Sequence, residues 1–209
     1  MFILILMTIL IGYLFGCLHG SQIIGKLKQI NLKNNGSKNA GATNTVLLLG
    51  WKYGFIVAFV DVFKAIISFL LVALMLHKYN VLFEVQILLL YLNALFVIIG
   101  HNFPLTMNFK GGKGTASFLG FLLCLDWKFT IFAFMLFIMF ALITKYFVFG
   151  TLIAYVSFTF YTASSFGRGA LLIAVLFTIL FLVQHVENFR RVINKEEMKI
   201  STMFRREAS

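Results

Sequence analysis

Apolar residues in this chain gather into seven runs instead of alternating or marking one helical stripe. They cover roughly Phe2–His19, Phe55–Leu76, Phe83–Ile99, Thr115–Leu125, Phe129–Ile143, Phe147–Ala163 and Ala170–Val186. Helices that are hydrophobic all round belong in lipid, so the pattern predicts about seven transmembrane helices. Thr115–Leu125 reaches only about 17 Å at 1.5 Å per residue, against a hydrocarbon core of about 30 Å. It reads as a tilted short helix or a re-entrant segment, and Phe129–Ile143 is also short. If these two form a half-depth hairpin, the sidedness of everything after them is unchanged.

Composition removes the soluble alternative. Of 209 residues, 61% are hydrophobic and only 12% charged, and a small globule could not hide so much apolar surface. At about 20 residues per span the chain allows at most about eight crossings. It reads as one multi-spanning domain over 1–209 with no soluble appendage. Cys17 and Cys124 both lie in apolar runs, which suits neither a disulfide framework nor a metal site. Leu14-Phe15-Gly16-Cys17 faintly resembles a lipoprotein cleavage box, but no Lys or Arg precedes it.

The net charge of +11 reads as membrane orientation, not nucleic-acid binding. Fourteen cations fall in the segments 26–52, 110–113, 145 and 190–206; the alternate connections hold only Lys78, Lys128 and Arg168. The positive-inside rule makes the fourteen-cation face cytoplasmic. An odd number of crossings then puts the N-terminus outside and the C-terminus inside. From Glu187 on, the chain reads as a charged, partly helical juxtamembrane tail whose cations could simply meet anionic lipid.

The unusual polar residues share that face. The loop from Asn34 to Asn44 is rich in Gly, Ser, Thr and Asn around Lys38; it is either a flexible solvated loop or a phosphate cradle of backbone N–H groups. Its spacing is not that of a P-loop. Gly100-His101-Asn102-Phe103-Pro104 leads into Phe109-Lys110-Gly111-Gly112-Lys113-Gly114, directly before the run at Thr115. Glycines around a lysine at a helix start make an anion site, or else a basic turn with a snorkelling lysine. Pro104 breaks the chain where the third span ends. His185 and Asn188, three apart, face one way on a helix; they contact a hydroxyl or phosphate, or are simply solvated. Asp61 and Lys64 lie inside the second run, where ionisable groups cost several kcal/mol unless paired or solvated. Their spacing permits an ion pair, structural or holding a site in place.

Together these segments resemble the bacterial membrane family of acyl-phosphate:glycerol-3-phosphate acyltransferases over nearly the whole chain. That family's first motif, roughly GSGNxGATNxxR, is matched by GSKNAGATNTVL at 36–47. The second, GHxFPxxxxFKGGKG, is matched without a gap at 100–114, and the third, HxxNxxRxxxGxExK, by HVENFRRVINKEEMK at 185–199. The family's DxxKG becomes Asp61-Val62-Phe63-Lys64-Ala65.

The resemblance implies transfer of a fatty acyl group from acyl phosphate to the 1-hydroxyl of glycerol 3-phosphate, giving lysophosphatidic acid and phosphate. It implies an integral protein of the bacterial cytoplasmic membrane with its active site on the cytoplasmic face. It calls for no cofactor, metal or nucleic acid. Partners would be the two substrates, the bilayer and the soluble enzyme that makes acyl phosphate. By motif position, Ser37, Asn39, Gly41, Thr43, Gly111 and Gly112 would cradle the donor phosphate. Lys113, His185 and Asn188 would be catalytic and hold the acceptor, with Thr151 standing where the family usually has serine. His101, Asn102, Asp61 and Lys64 would support the site. The general base is His185 or the donor's own phosphate.

Departures bear on the acceptor. Leu47 stands where the first motif ends in arginine, and Lys38 replaces that motif's second glycine and could supply the missing charge. The usual upstream D-x-R becomes Asn31-Leu32-Lys33, and a third-motif glycine becomes Lys195. A divergent acyltransferase with another acceptor is one alternative. A small transporter or permease with a cytoplasmic anion site, using Asp61 and Lys64 as pathway groups, is the other; no inverted repeat is visible for it.

Overall fold

The computed structural model describes residues 1–37 and 39–205. Lys38 lies outside the described residues. All regular structure among the described residues is helical: α1 (Phe2–Gly16), α2 (Gly20–Leu27), α3 (Ala42–Leu49), α4 (Trp51–Lys78), α5 (Phe83–Asn102), α6 (Thr115–Leu125), α7 (Trp127–Thr144), α8 (Phe147–Ser165), α9 (Arg168–Ile193) and α10 (Ile200–Arg205). A 3₁₀ turn, Leu105–Met107, follows α5. Six stretches among the described residues are long and apolar enough to cross a bilayer, the first being α1 and α2 together. The seventh predicted run is α6, 11 residues as expected and shorter than those six. α7 is longer than its apolar run, because Trp127, Lys128 and Thr144 extend the helix to 18 residues, enough to cross. Its polar end residue can snorkel, so the helix outlasts the hydrophobic signal.

The chain forms two compact units, Met1–Leu125 and Asp126–Ser209. In the first, α1 packs on α5 and α4 on α6. Small residues set the first contact: a Cβ on Gly16 would lie 2.3 Å from the Val97 carbonyl oxygen, and one on Gly100 2.3 Å from that of Tyr13. In lipid, where apolar burial does not drive helices together, such close backbone approach is a main source of packing energy. A Ser68–Asn93 bond of 3.0 Å and an Asn93 bond to the Thr8 carbonyl tie α4, α5 and α1. The chain bends between α1 and α2 at His19, which is extended.

In the second unit α7 packs on α8 and α8 on α9. Tyr155 stacks on Phe181 at 4.8 Å and Phe158 meets Phe177 edge-on at 5.9 Å. Asp126 caps α7, accepting from the backbone N–H groups of Lys128 and Phe129, and takes a 2.7 Å bond from the Tyr161 hydroxyl. That hydroxyl and the two N–H groups hold the Asp126 carboxyl below the usual carboxylate range. Asp126→Ala should therefore cost about 1 kcal/mol through the lost cap, seen as a lower thermal midpoint. A depressed folded-state pKa stabilises above the ordinary value of about 3.9, and the effect fades as pH falls through the folded value. The difference between wild type and variant should vanish in strong acid.

Candidate active site

In the first unit the first motif is built around Asn44. This side chain is fully buried. Its Oδ1 accepts from the Ser37 backbone N–H (2.7 Å) and hydroxyl (3.1 Å), while its Nδ2 donates to the carbonyls of Leu32 and Asn35. The loop expected over 34–44 thus ends early: Ala42, Thr43 and Asn44 form the first turn of α3. Gly36 has φ +64°, and a Cβ there would lie 2.4 Å from Asn44 Oδ1. Among the described residues no side chain caps α3, whose N-cap is Gly41. Its leading N–H groups, with Ser37, Asn39 and exposed Thr43 beside them, form the partial positive charge that attracts anions.

The second motif folds back on the end of α5. Pro104 stops that helix, Gly111 N–H donates to the Asn102 carbonyl (2.9 Å) and Gly112 N–H to the His101 carbonyl (3.1 Å). Gly112 sits so close that a Cβ would lie 2.2 Å from His101 Nε2 and 2.8 Å from the Ala40 carbonyl. Gly114 has φ +79°, and α6 begins one residue on. The glycines read as a cradle thus have a packing reason as well: they bring the second motif against the first. Half-buried Lys113 lies between these contacts and the start of α6.

Beneath lies a charged cluster. Asp61 and Lys64 pair at 3.0 Å, both about 2% exposed. Lys64 Nζ also approaches His101 Nδ1 (2.7 Å) and donates to the Gly16 (3.0 Å) and Leu18 carbonyls that end α1. An ammonium there satisfies carbonyls the broken helix would leave orphaned. With Lys64 donating, His101 Nδ1 accepts, and the ring proton sits on Nε2, facing Gly112. His19 stacks on His101 at 4.3 Å. His19, Asp61 and His101 offer ligand atoms within 4.8 Å of one another, but the Lys64 charge among them disfavours a divalent ion. Asn102 is buried, and neither of its side-chain polar atoms bonds to a described residue.

The second unit holds Thr151, His185 and Asn188. Thr151 bonds back to the Phe147 carbonyl (3.0 Å). His185 and Asn188 are both buried on α9. His185 Nδ1 lies 2.9 Å from the Phe181 carbonyl. A carbonyl only accepts, so Nδ1 carries the proton and a neutral ring has its lone pair on Nε2. Asn188 Nδ2 donates to Glu197 Oε1 (2.6 Å), and Arg191 Nε donates to Glu197 Oε2 (2.6 Å). Glu197 thus locks Asn188 and the stretch after α9.

The sequence reading did not single out His19, Asn44 or Glu197 as site residues. Asn44 and Glu197 lie in quoted motifs, so the signal was at hand. His19 had only its place as a polar residue ending an apolar run.

The family model described as glycerol-3-phosphate acyltransferase matches residues 6–195. Glycerol-3-phosphate acyltransferase 1 of Oceanobacillus iheyensis is 48% identical over 96% of this chain and 97% of its own. Glycerol-3-phosphate acyltransferase 2 of Thermotoga maritima is 32% identical over 94% and 96%. Among solved structures, the glycerol 3-phosphate form of PlsY, an integral membrane glycerol 3-phosphate acyltransferase, superposes with a TM-score of 0.82. It is 30% identical over 94% of this chain and 95% of that one. The lysophosphatidic acid form superposes at 0.80 with 29% identity. This chain, an all-helical integral membrane protein, belongs to the glycerol-3-phosphate acyltransferase family.

Proposed function

We propose that the protein acylates the 1-hydroxyl of glycerol 3-phosphate from a fatty acyl phosphate, releasing lysophosphatidic acid and inorganic phosphate. The observation that carries this reading is the packing of two glycine-rich, cation-bearing motifs through Gly112 and the Ala40 carbonyl, beside the uncapped start of α3. Solved relatives whose names give glycerol 3-phosphate and lysophosphatidic acid forms support the acceptor and the product.

An acyl phosphate is already activated, so the demands on the protein are modest. The hydroxyl oxygen attacks the acyl carbonyl carbon, a C–O bond forms, and the bond to the phosphate oxygen breaks. Ser37, Asn39, Gly41, Thr43, Gly111 and Gly112 hold the donor phosphate. Lys113, Thr151, His185 and Asn188 hold the acceptor. Lys113 and the motif N–H groups oppose the charge that develops, and orientation lowers the rest of the barrier. His185 Nε2 takes the hydroxyl proton, with the departing phosphate as the competing acceptor. Asp61, Lys64, His101 and Asn102 support the second motif. The chain is read as a single catalytic domain over 1–209, a reading that the family match over 6–195 supports.

The test compares acyl phosphate with the matching acyl thioester, using purified protein in detergent and measuring lysophosphatidic acid. Product from the phosphate alone is expected. Product from the thioester alone would sink the donor assignment, and no product from either would revive the transporter reading.

The same reading places the protein in the bacterial cytoplasmic membrane, motifs inward, drawing acyl phosphate from a soluble enzyme. Reporter fusions after Ser209 and after Lys78 should report opposite sides, the first cytoplasmic. Both on one side would overturn the topology.

A further inference from the structure

A polar cleft lies in the first unit, bordered by Ala40 of the first motif and Thr106–Asn108 of the second. Its volume is about 400 Å³, within the range of small-molecule sites. Gln22 and Lys26 of α2, Asn31 and Lys33 of the following turn, and Thr106 of the 3₁₀ turn line it. None of the residues given a catalytic or substrate-binding role above does so. Its walls are fastened: Gln22 Nε2 donates to the Thr106 carbonyl (3.1 Å) and Lys33 Nζ to the Met107 carbonyl (3.2 Å). Ser21 donates to the Ala40 carbonyl (3.3 Å), joining the floor to the back of the first motif.

The chemistry of the lining points to an anion. Two lysines face the cleft, and no carboxylate is among its described lining residues. Lys33 spends one of its three N–H donors on Met107, leaving charge and donors for a ligand. Neighbouring residues point to a lipid: Ile23, Leu27 and Leu105 are 48%, 73% and 59% exposed, and α2 ends the first candidate span. Basic groups beside exposed apolar residues at a span's end match a phosphate headgroup with its chains alongside.

We propose that this cleft binds the headgroup phosphate of an anionic phospholipid, through residues other than those assigned to the reaction. The probe is phosphatidylglycerol, with phosphatidylcholine of the same chains as control. Each is titrated into the full-length protein in neutral detergent, and bound lipid is counted by native mass spectrometry. Wild type should retain one phosphatidylglycerol at concentrations where phosphatidylcholine is lost. The K26Q/K33Q variant should bind about tenfold or more weakly, the effect of losing one or two charge-assisted bonds. Asn31→Asp is the second variant. Asn31 Oδ1 accepts from the Lys33 and Asn34 backbone N–H groups, which a carboxylate does equally well, so the turn survives while a negative charge enters the cleft. It should weaken retention several-fold. Unchanged retention in both variants would overturn the site and leave a solvated basic face. Displacement of the lipid by millimolar inorganic phosphate would overturn the lipid assignment in favour of a soluble phosphate. Binding is read without turnover, so failure here is distinct from failure of the proposed reaction.

Discussion

Replacing Lys113 with alanine should nearly abolish acyl transfer while leaving expression and detergent stability unchanged. Lys113 is half-buried between Gly112, which touches His101 and Ala40, and Gly114, which carries φ +79° at the start of α6. The chain around it is held by contacts that do not need its side chain: the Gly111 and Gly112 bonds to α5, and the Phe118 bond to the Gly114 carbonyl. These backbone contacts should survive the substitution. The functional loss is large, because one ammonium is asked both to hold phosphate and to oppose developing charge. Removing a single donor of that kind typically costs about 10²–10³ in turnover. Lys113→Arg should also be impaired: a planar fork is wider than an ammonium, and the flanking glycines leave little room. Initial rates with both substrates saturating, beside a thermal midpoint, decide the matter. Near-normal activity of the alanine variant would return Lys113 to the role of a snorkelling surface residue.

How far the fold could be read ahead of the structure depends on the kind of signal. Helix existence was legible because lipid demands unbroken apolar runs, and six of the seven runs became helices long enough to cross. Boundaries were less so. α4 begins at Trp51 and α9 ends at Ile193, since an amphipathic end residue such as Lys52 or Arg190 continues a helix into the headgroups while ending the hydrophobic pattern. The Asp61–Lys64 pair was legible as a spacing. Its attachment to His101 and to the end of α1 was not, because those partners lie 37 to 48 residues away. The glycines of the second motif read as an anion cradle, yet their backbone also packs against His101 and Ala40. One sequence feature serves two demands, and composition reveals only the first. Asn44 was hidden for a related reason: a buried amide that braces a loop looks, in sequence, like any polar loop residue.

Leu47→Arg should tighten the use of glycerol 3-phosphate if no other cation has replaced the family's arginine. Leu47 lies on α3, four residues after Thr43 and so one turn along the same face, and it is only partly buried. Long side chains there extend along the face that begins at the uncapped end of the helix. A charge-assisted bond to phosphate is worth about 1.5–3 kcal/mol, which makes the expected fall in the acceptor's Michaelis constant roughly tenfold or more. Lys38 is the competing source of charge, and a double comparison separates the cases. Without compensation, Leu47→Arg improves the acceptor constant and Lys38→Gly changes little. With compensation by Lys38, Lys38→Gly is severe alone and is largely rescued when Leu47→Arg is added, a coupling that independent sites would not show. We expect the second pattern: the chain has lost a cation and gained one within the same motif, and the binding of a doubly charged phosphate would otherwise fall by the full worth of the missing bond. Indifference to both changes would place the acceptor phosphate away from the first motif. It would then cast doubt on glycerol 3-phosphate as the natural acceptor while leaving acyl transfer from acyl phosphate intact.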